Sequence, residues 1–477
     1  MRSAVVFCAF FACGMAAAQD TGSTGGGLAI SIEQPTLAIR TMIRTQGTSN
    51  DSLGQIMMYA GSFPPTTING WQPCAGQVLN ITDNPALYAA IGSAYGGDGA
   101  TTFALPDLRG RAPVGTGTGA GLSAWAQGQT RGAETVTLTT ANLPSHAHTL
   151  PTSLEPSGTT LPTGSGQAFG ILQPSLGVRY VTPLSGYVPF PNNGTYVGAD
   201  PVVGQVSLTA RSAVPTGWAA CDGSTLSIAG NSSVYAVMGT TYGGDGTTTF
   251  ALPDLQGRAA IGQGAGRPGQ LVPQTLGQAS GVESVTLTEA QLPEHTHTIA
   301  VSPFQTGTTG SFQPVSVMQP TLALNYIIAT IGMFPSDSGS LTDDAPYLGQ
   351  IALFSGTFAP DGWAFAQGQI LPITGNNALY ALLGTTYGGN GSVTFGLPDL
   401  RGRLPIGVGQ GPGLTPWLLG DWGGADDINL FQSNMPAHVH TVPEPAGMAM
   451  LLAAAAIGAA CRKRAAIGRR RLFPNAA

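Results

Sequence analysis

The chain repeats itself at the period of a whole domain. Three Gly-Trp pairs, Gly70 with Trp71, Gly217 with Trp218 and Gly362 with Trp363, place corresponding tryptophans 147 and 145 residues apart. A repeat of that length is a domain rather than one turn of a solenoid, so the sequence must specify one small fold three times. Each copy opens on Leu-Gly-Gln-Ile or its Val-Gly-Gln-Val variant at residues 53–56, 203–206 and 348–351. A short helix signal follows at 84–92, with Asn84 at the cap, Pro85 in the first turn, Leu87, Tyr88 and Ile91 on one side and Gly92 as terminator. Residues 231–239 and 376–384 repeat it, with Tyr235 and Tyr380 in register.

Every copy continues through Tyr-Gly-Gly-Asp/Asn-Gly at 95–99, 242–246 and 387–391, a cluster that calls for positive φ or close backbone approach. Phe-Ala/Gly-Leu-Pro-Asp-Leu at 103–108, 250–255 and 395–400 then reads as a strand entering a turn, followed by Arg-Gly-Arg or Gln-Gly-Arg. A further echo precedes each copy at 34–39, 173–178 and 319–324 and reads as a strand or short helix. The expected fold is α+β: predominantly short β-strands and Gly-rich turns with one small helix per module, in three tandem modules at 28–150, 171–299 and 317–441.

All six histidines fall into three short motifs: His146 and His148 in Leu-Pro-Ser-His-Ala-His-Thr, His295 and His297 in Leu-Pro-Glu-His-Thr-His-Thr, and His438 and His440 in Met-Pro-Ala-His-Val-His-Thr. In an extended strand, side chains at i and i+2 share a face, so each motif presents two imidazoles side by side. That is ligand geometry; local hydrogen bonding of each pair is the competing reading. No histidine is left over for a Ser/His/Asp arrangement, and the Gly-rich motif lacks the lysine and helix of a phosphate-cradling loop.

Both termini carry processing signals. Residues 1–18 combine Arg2, an apolar run and an Ala-Ala-Ala end, the pattern of a cleaved secretory signal peptide. Residues 442–471 hold Pro-Glu-Pro at 443–445, an Ala-rich apolar run and two cation clusters. This order of parts resembles a PEP-CTERM sorting segment, which implies recognition and cleavage by an exosortase-like processing enzyme. The alternative is a plain C-terminal membrane anchor, for which the run is shorter than the roughly 20 residues a spanning helix needs. The expected route is secretion, transient anchoring in the membrane through the C-terminal helix, and then residence at the cell surface or in the extracellular matrix.

Setting aside Arg2 and the six tail cations leaves 11 of 18 Lys plus Arg; setting aside Glu444 leaves 23 of 24 acids, so the exported part carries a charge near −12 and has no lysine. Nucleic acid is disfavoured as a partner, because phosphate binding needs clustered cations. An extracellular saccharide or surface receptor fits better. Only Cys74 and Cys221 remain in the body, too few for a disulfide framework, and are expected as small buried hydrophobes.

Together the motifs of each copy, from Leu-Gly-Gln-Ile through Tyr-Gly-Gly-Asp-Gly and Phe-Ala-Leu-Pro-Asp-Leu-Arg-Gly-Arg to Leu-Pro-x-His-x-His-Thr, resemble the phage tail collar domain family. They are similar also to the short-tail-fibre proteins and the bacterial proteins called microcystin-dependent, across nearly all of the chain between the two processing signals. The resemblance implies a trimeric, receptor-directed and non-catalytic domain whose His-x-His pairs gather a metal ion on the trimer axis. The implied ligands here are His146, His148, His295, His297, His438 and His440. With three modules in one chain, the expectation is an intramolecular pseudo-trimer around one divalent transition metal, Zn, Fe or Ni. A six-nitrogen set favours octahedral Ni or Fe(II) over four-coordinate Zn.

Three departures stand out: Gln256 for the first Arg of copy two, Ala366 at the position of Cys74 and Cys221, and residues 430–434 in copy three, which suggest a differently docked last strand. Asp107, Asp254 and Asp399 are expected to cap the following Arg-Gly-Arg turn and to pair with Arg109, Arg111, Arg258, Arg401 and Arg403. Trp71, Trp218 and Trp363 are expected in the module cores. Two functions stay open. One is an exported structural and adhesive protein without enzyme activity; the other is a metal-dependent extracellular hydrolase acting on polysaccharide or peptide.

Overall fold

The computed structural model describes residues 19–47, 52–61, 70–150, 159–189, 201–264, 271–299, 305–335 and 346–442. The expected signal peptide at 1–18 and the sorting segment from residue 443 onward lie outside the described residues. Within them the fold is mostly short strands with three seven-residue helices, Pro85–Ile91, Ser232–Met238 and Asn377–Leu383.

The echo ahead of each module is a nine-residue opening strand: Thr36–Arg44, Ser175–Pro183 and Thr321–Ala329. All three are buried along nearly their whole length, which explains why they read as continuous apolar runs rather than alternating ones. The second half of each pairs antiparallel with an inner strand of its own module, Gln55–Tyr59, Gln205–Thr209 or Gln350–Phe354. The first half pairs parallel with a bridging strand from another module. Ala112–Gly115 joins the second opening strand, Ala259–Gly262 the third, and Leu404–Gly407 the first.

The inner strands close the same cycle, because each pairs antiparallel with both of the others. The result is a fifteen-stranded sheet spanning all three modules. One apolar core follows from it, with Ile39, Val178 and Leu324 of the opening strands packed together with Ile56, Leu208 and Leu353 of the inner strands.

A seven-residue helix is marginal in water and depends on packing. Leu87, Ala90 and Ile91 supply it in the first helix, and Val234, Val237 and Met238 in the second. The cap differs from the expectation. Asn84 occupies the N-cap position, but its side chain donates backward to the Asn80 carbonyl at 3.2 Å instead of accepting a helix N–H, and Asn231 and Asn376 do the same to Ser227 and Pro372. The helix tyrosine then ties helix to Gly-rich turn. Tyr88, Tyr235 and Tyr380 donate to the carbonyls of Gly99, Gly246 and Gly391 at 2.8, 3.0 and 2.8 Å.

The Gly-rich turn is built on close approach. A Cβ at Gly97, Gly244 or Gly389 would stand 2.3–2.4 Å from the Cα of Phe103, Phe250 or Phe395, and φ is near +90° at all three. The acid of the motif is a turn keystone: one Asp98 oxygen accepts the backbone N–H groups of Ala100, Thr101 and Thr102 at 2.9, 2.7 and 2.7 Å. These bonds favour the carboxylate and hold its pKa well below the usual Asp range, led by the Thr101 hydroxyl. Asp98→Ala is expected to leave the global fold in place while amide hydrogen exchange at residues 100–102 accelerates at least tenfold. Unchanged exchange there would contradict the keystone role.

Asp107 accepts from the Arg109 backbone and holds its guanidinium through two bonds of 2.9 and 3.0 Å, while Arg111 approaches at 3.3 Å. Asp399 repeats this with Arg401 and Arg403. In copy two, Asp254 still accepts the Gln256 backbone N–H at 3.2 Å and pairs with Arg258 at 2.7 Å, while the Gln256 side-chain oxygen accepts the Thr118 N–H of module one. The aspartates are thus turn caps and ion-pair partners. Cys74 and Cys221 are free and buried, 2% and 4% exposed, with burial pushing both thiols well above their ordinary pKa. Trp71 is buried as expected, whereas Trp218 and Trp363 are only half-buried.

Candidate metal centre

Each His pair is delivered by the same local device. A 3-10 turn, Thr140–Asn142, Glu289–Gln291 or Gln432–Asn434, is followed by a Leu-Pro or Met-Pro step whose first side chain is fully buried. Leu143, Leu292 and Met435 form a cluster of their own, which brings the three motifs together. The third motif does not dock differently from the others. Phe431 keeps the backbone N–H bond to Asn434 at 2.9 Å that Thr139 makes to Asn142, and Leu430 is buried where Leu138 and Leu287 are. What Phe431 loses is only the hydroxyl bond.

The six imidazoles meet in one place, all 0–4% exposed. Within a pair the ring centroids stand 5.4–5.5 Å apart, and between pairs 4.7–5.3 Å. Every ring contacts four of the other five. His146 does not contact His297, His148 does not contact His438, and His295 does not contact His440. Four neighbours and one opposite member for each of six is the connectivity of an octahedron.

Second-layer bonds fix which nitrogen faces inward. Nδ1 of His146, His295 and His438 lies 3.0 Å from the carbonyl of Pro144, Pro293 or Pro436. Nδ1 of His148, His297 and His440 lies 2.8, 2.8 and 3.0 Å from the carbonyls of Gly307, Gly22 and Leu161. A carbonyl only accepts, so each neutral imidazole must carry its proton on Nδ1 and keep a lone pair on Nε2. All six Nε2 atoms are buried without a hydrogen-bond partner, a costly arrangement unless something binds them. The ligand atoms within each of four His triads lie within 4.8 Å of one another. Carbonyl-oriented imidazoles with free Nε2 lone pairs are what a transition metal requires, so the residues present fit the ion.

Sequence reading found the histidines but missed the threonines that hold them. The backbone N–H groups of His148, His297 and His440 donate to the hydroxyls of Thr160, Thr306 and Thr21 at 2.9–3.0 Å. Short bridges join His146 to Thr163, His295 to Thr309 and His438 to Thr24. The available signal was Thr-x-x-Thr-Gly at 21–25, 160–164 and 306–310. Its first copy lies ahead of module one and serves module three. There Gln19–Asp20 pairs antiparallel with Thr441–Val442, so residues 19–25 complete the last module.

Burial and mutual repulsion disfavour protonation of five of these rings, His148, His295, His297, His438 and His440. Burial lowers the pKa of His295 to about 3 and those of His297 and His440 to about 4, with neighbouring histidines adding to the effect; His148 and His438 shift the same way. Unfolded, each would take a proton near pH 6.5, so below that pH the unfolded chain binds more protons and stability falls. The metal-free protein is therefore expected to be most stable above about pH 6.5 and to lose on the order of several kcal/mol as the pH falls toward 4. Chemical denaturation of chelated protein across that range checks this, and a flat profile would contradict it.

Three segments of the chain, residues 54–113, 204–260 and 349–405, match the phage tail collar domain family. The protein therefore carries this domain in three tandem copies, as the motifs implied. Among curated proteins and among solved structures no match was found.

Proposed function

We propose that the protein is an exported structural and adhesive protein in which three collar modules form an intramolecular pseudo-trimer clamped by one divalent metal ion. The carrying observation is the octahedral connectivity of six buried histidines, two from each module, with every Nε2 unpartnered. The closed cycle of bridging and inner strands supports the same reading, because each module lends a strand to another. Bound there, the ion supplies a cross-link between three modules. The protein's part is to hold the rings in one tautomer, exclude water and bring the three Pro-x-His-x-His segments together.

Ni or Fe(II) suits a six-nitrogen octahedral set better than Zn. Hydrolysis needs a coordination position for water, and six imidazoles leave none, so the centre is structural rather than catalytic. The signal at 1–18 supports export, and the sorting segment supports passage through a membrane-anchored stage before processing by an exosortase-like enzyme. The receptor on this reading is an extracellular saccharide or another surface molecule. Metal analysis of the purified exported region, with a glycan array and a parallel hydrolysis assay, tests the whole. One ion per chain, glycan retention and no turnover are expected; turnover abolished by chelation would overturn the structural reading.

A further inference from the structure

Three copies of one corner allow each to serve as reference for the others, and the third carries a set of changes that the first two lack. Strand register places Trp422 where the other corners have Thr130 and Ala279, and Gly423 where they have Arg131 and Ser280. Spacing from Gln34, Gln173 and Gln319 places Glu33 where the others have Leu172 and Met318. Asp421 stands where Gln129 and Gln278 stand; all three accept a loop N–H at 2.7–2.9 Å, but only Asp421 brings a charge. In the first corner the Arg131 guanidinium lies 4.9 Å above the Trp125 ring. In the third corner Gly423 removes that cation.

The result is a cleft of about 420 Å³ lined by Glu33, Thr415, Trp417, Asp421 and Trp422 among others. Trp422 is 55% exposed, whereas Trp417 is 7% exposed and its indole N–H has no acceptor among the described residues. Glu134 sits nearby but is occupied, accepting the N–H and hydroxyl of Thr415 at 2.6 and 2.9 Å. The Glu33 carboxylate has neither a donor nor a cation among the described residues. Burial and the negative charge of Glu134 raise its pKa, so the site is short of positive charge.

We propose that this cleft binds a compact hydroxylated organic ammonium, of which a protonated amino sugar is the type. The ammonium would meet the Glu33 and Asp421 carboxylates, and the ligand's face would lie on the Trp422 indole, where cation–π attraction adds to stacking. This extends the adhesive reading by naming a ligand class and rests on that reading only for the source of the amine. Its failure would leave metal content and array binding as they are.

The test titrates glucosamine against the exported region at about pH 7, with N-acetylglucosamine as the uncharged counterpart, followed by tryptophan fluorescence and calorimetry. Saturable binding of glucosamine and at least tenfold weaker binding of the acetylated form are expected. Glu33→Gln should weaken glucosamine about tenfold and Trp422→Thr, which restores the residue of the first corner, about fivefold, with thermal midpoints unchanged. No saturable binding, equal binding of both sugars, or full affinity in Glu33→Gln would each overturn the proposal. The comparison of the two sugars on the parent protein decides the matter even where a variant fails to fold.

Discussion

Exchanging His146, His295 and His438 together for Ala is expected to remove stoichiometric metal from the purified protein and lower its thermal midpoint by roughly 5 °C. The magnitude follows from linkage: an ion at about a thousand times its dissociation constant stabilises the folded state by about 4 kcal/mol. The sign of the remainder is diagnostic. Without metal, six buried Nε2 atoms have no partner, and each unsatisfied group costs about 1–3 kcal/mol. Removing three of them in a chelated background should therefore be close to neutral after the cavity cost, although the same exchange is severe in the metal-loaded protein. Metal content by elemental analysis and midpoints with and without chelator give the four values needed. A parent protein without metal, or equal losses in both backgrounds, would exclude the clamp.

The second large effect is expected at Gly407. A Cβ there would stand 1.9 Å from the Leu108 carbonyl oxygen of module one, and both Gly115 against Leu255 and Gly262 against Leu400 repeat the contact at 1.9 and 1.8 Å. The obstacle is backbone, which cannot rotate aside. The Gly407 carbonyl also accepts the Gly110 N–H at 2.8 Å across the same junction. Gly407→Ala should cost about 3 kcal/mol or more, through overpacking of a fully buried strand junction. Because the junction joins the last module to the first, the variant should bind metal more weakly although all six histidines are intact. Denaturant titration and metal affinity measured together check both halves, and wild-type values in either would refute the account.

Much of the module was readable from local chemistry. The helix signals, the turn acids and the Asp–Arg pairs depend on residues within about a dozen positions of each other, and their reasons travel with the motif. The caps show the limit of such reading: Asn84, Asn231 and Asn376 sit where capping residues sit, but use the amide as a donor to the preceding strand. Partner choice was not readable. A bridging strand such as Ala112–Gly115 has the same pattern whether it pairs within its own copy or with the next, since near-identical modules offer near-identical partners.

The candidate site divides along the same line. Six histidines confined to three motifs point to themselves, whereas Thr21, Gly22 and Thr24, which orient the second and third pairs, lie far from them in sequence and before the first module begins. Phe431 misleads in the other direction. It breaks the Leu-Thr pattern, yet the backbone bond to Asn434 carries the turn without the hydroxyl.

The pairing of Gln19–Asp20 with Thr441–Val442 has a further consequence for how the molecule is made. The bond from the His440 backbone to the Thr21 hydroxyl spans 419 residues, so a segment made before the first module waits for one made at the close of the third. Contacts of such separation form late, after their loop-closure entropy has been met. The sixth imidazole is available only once synthesis has passed His440, so capture of the ion by all six follows the making of the third module. A chain stopped between His148 and His295, or between His297 and His438, would carry two or four histidines and no closed cage. The six-ligand cage would thus distinguish chains that reach the third His pair from chains that stop short of it.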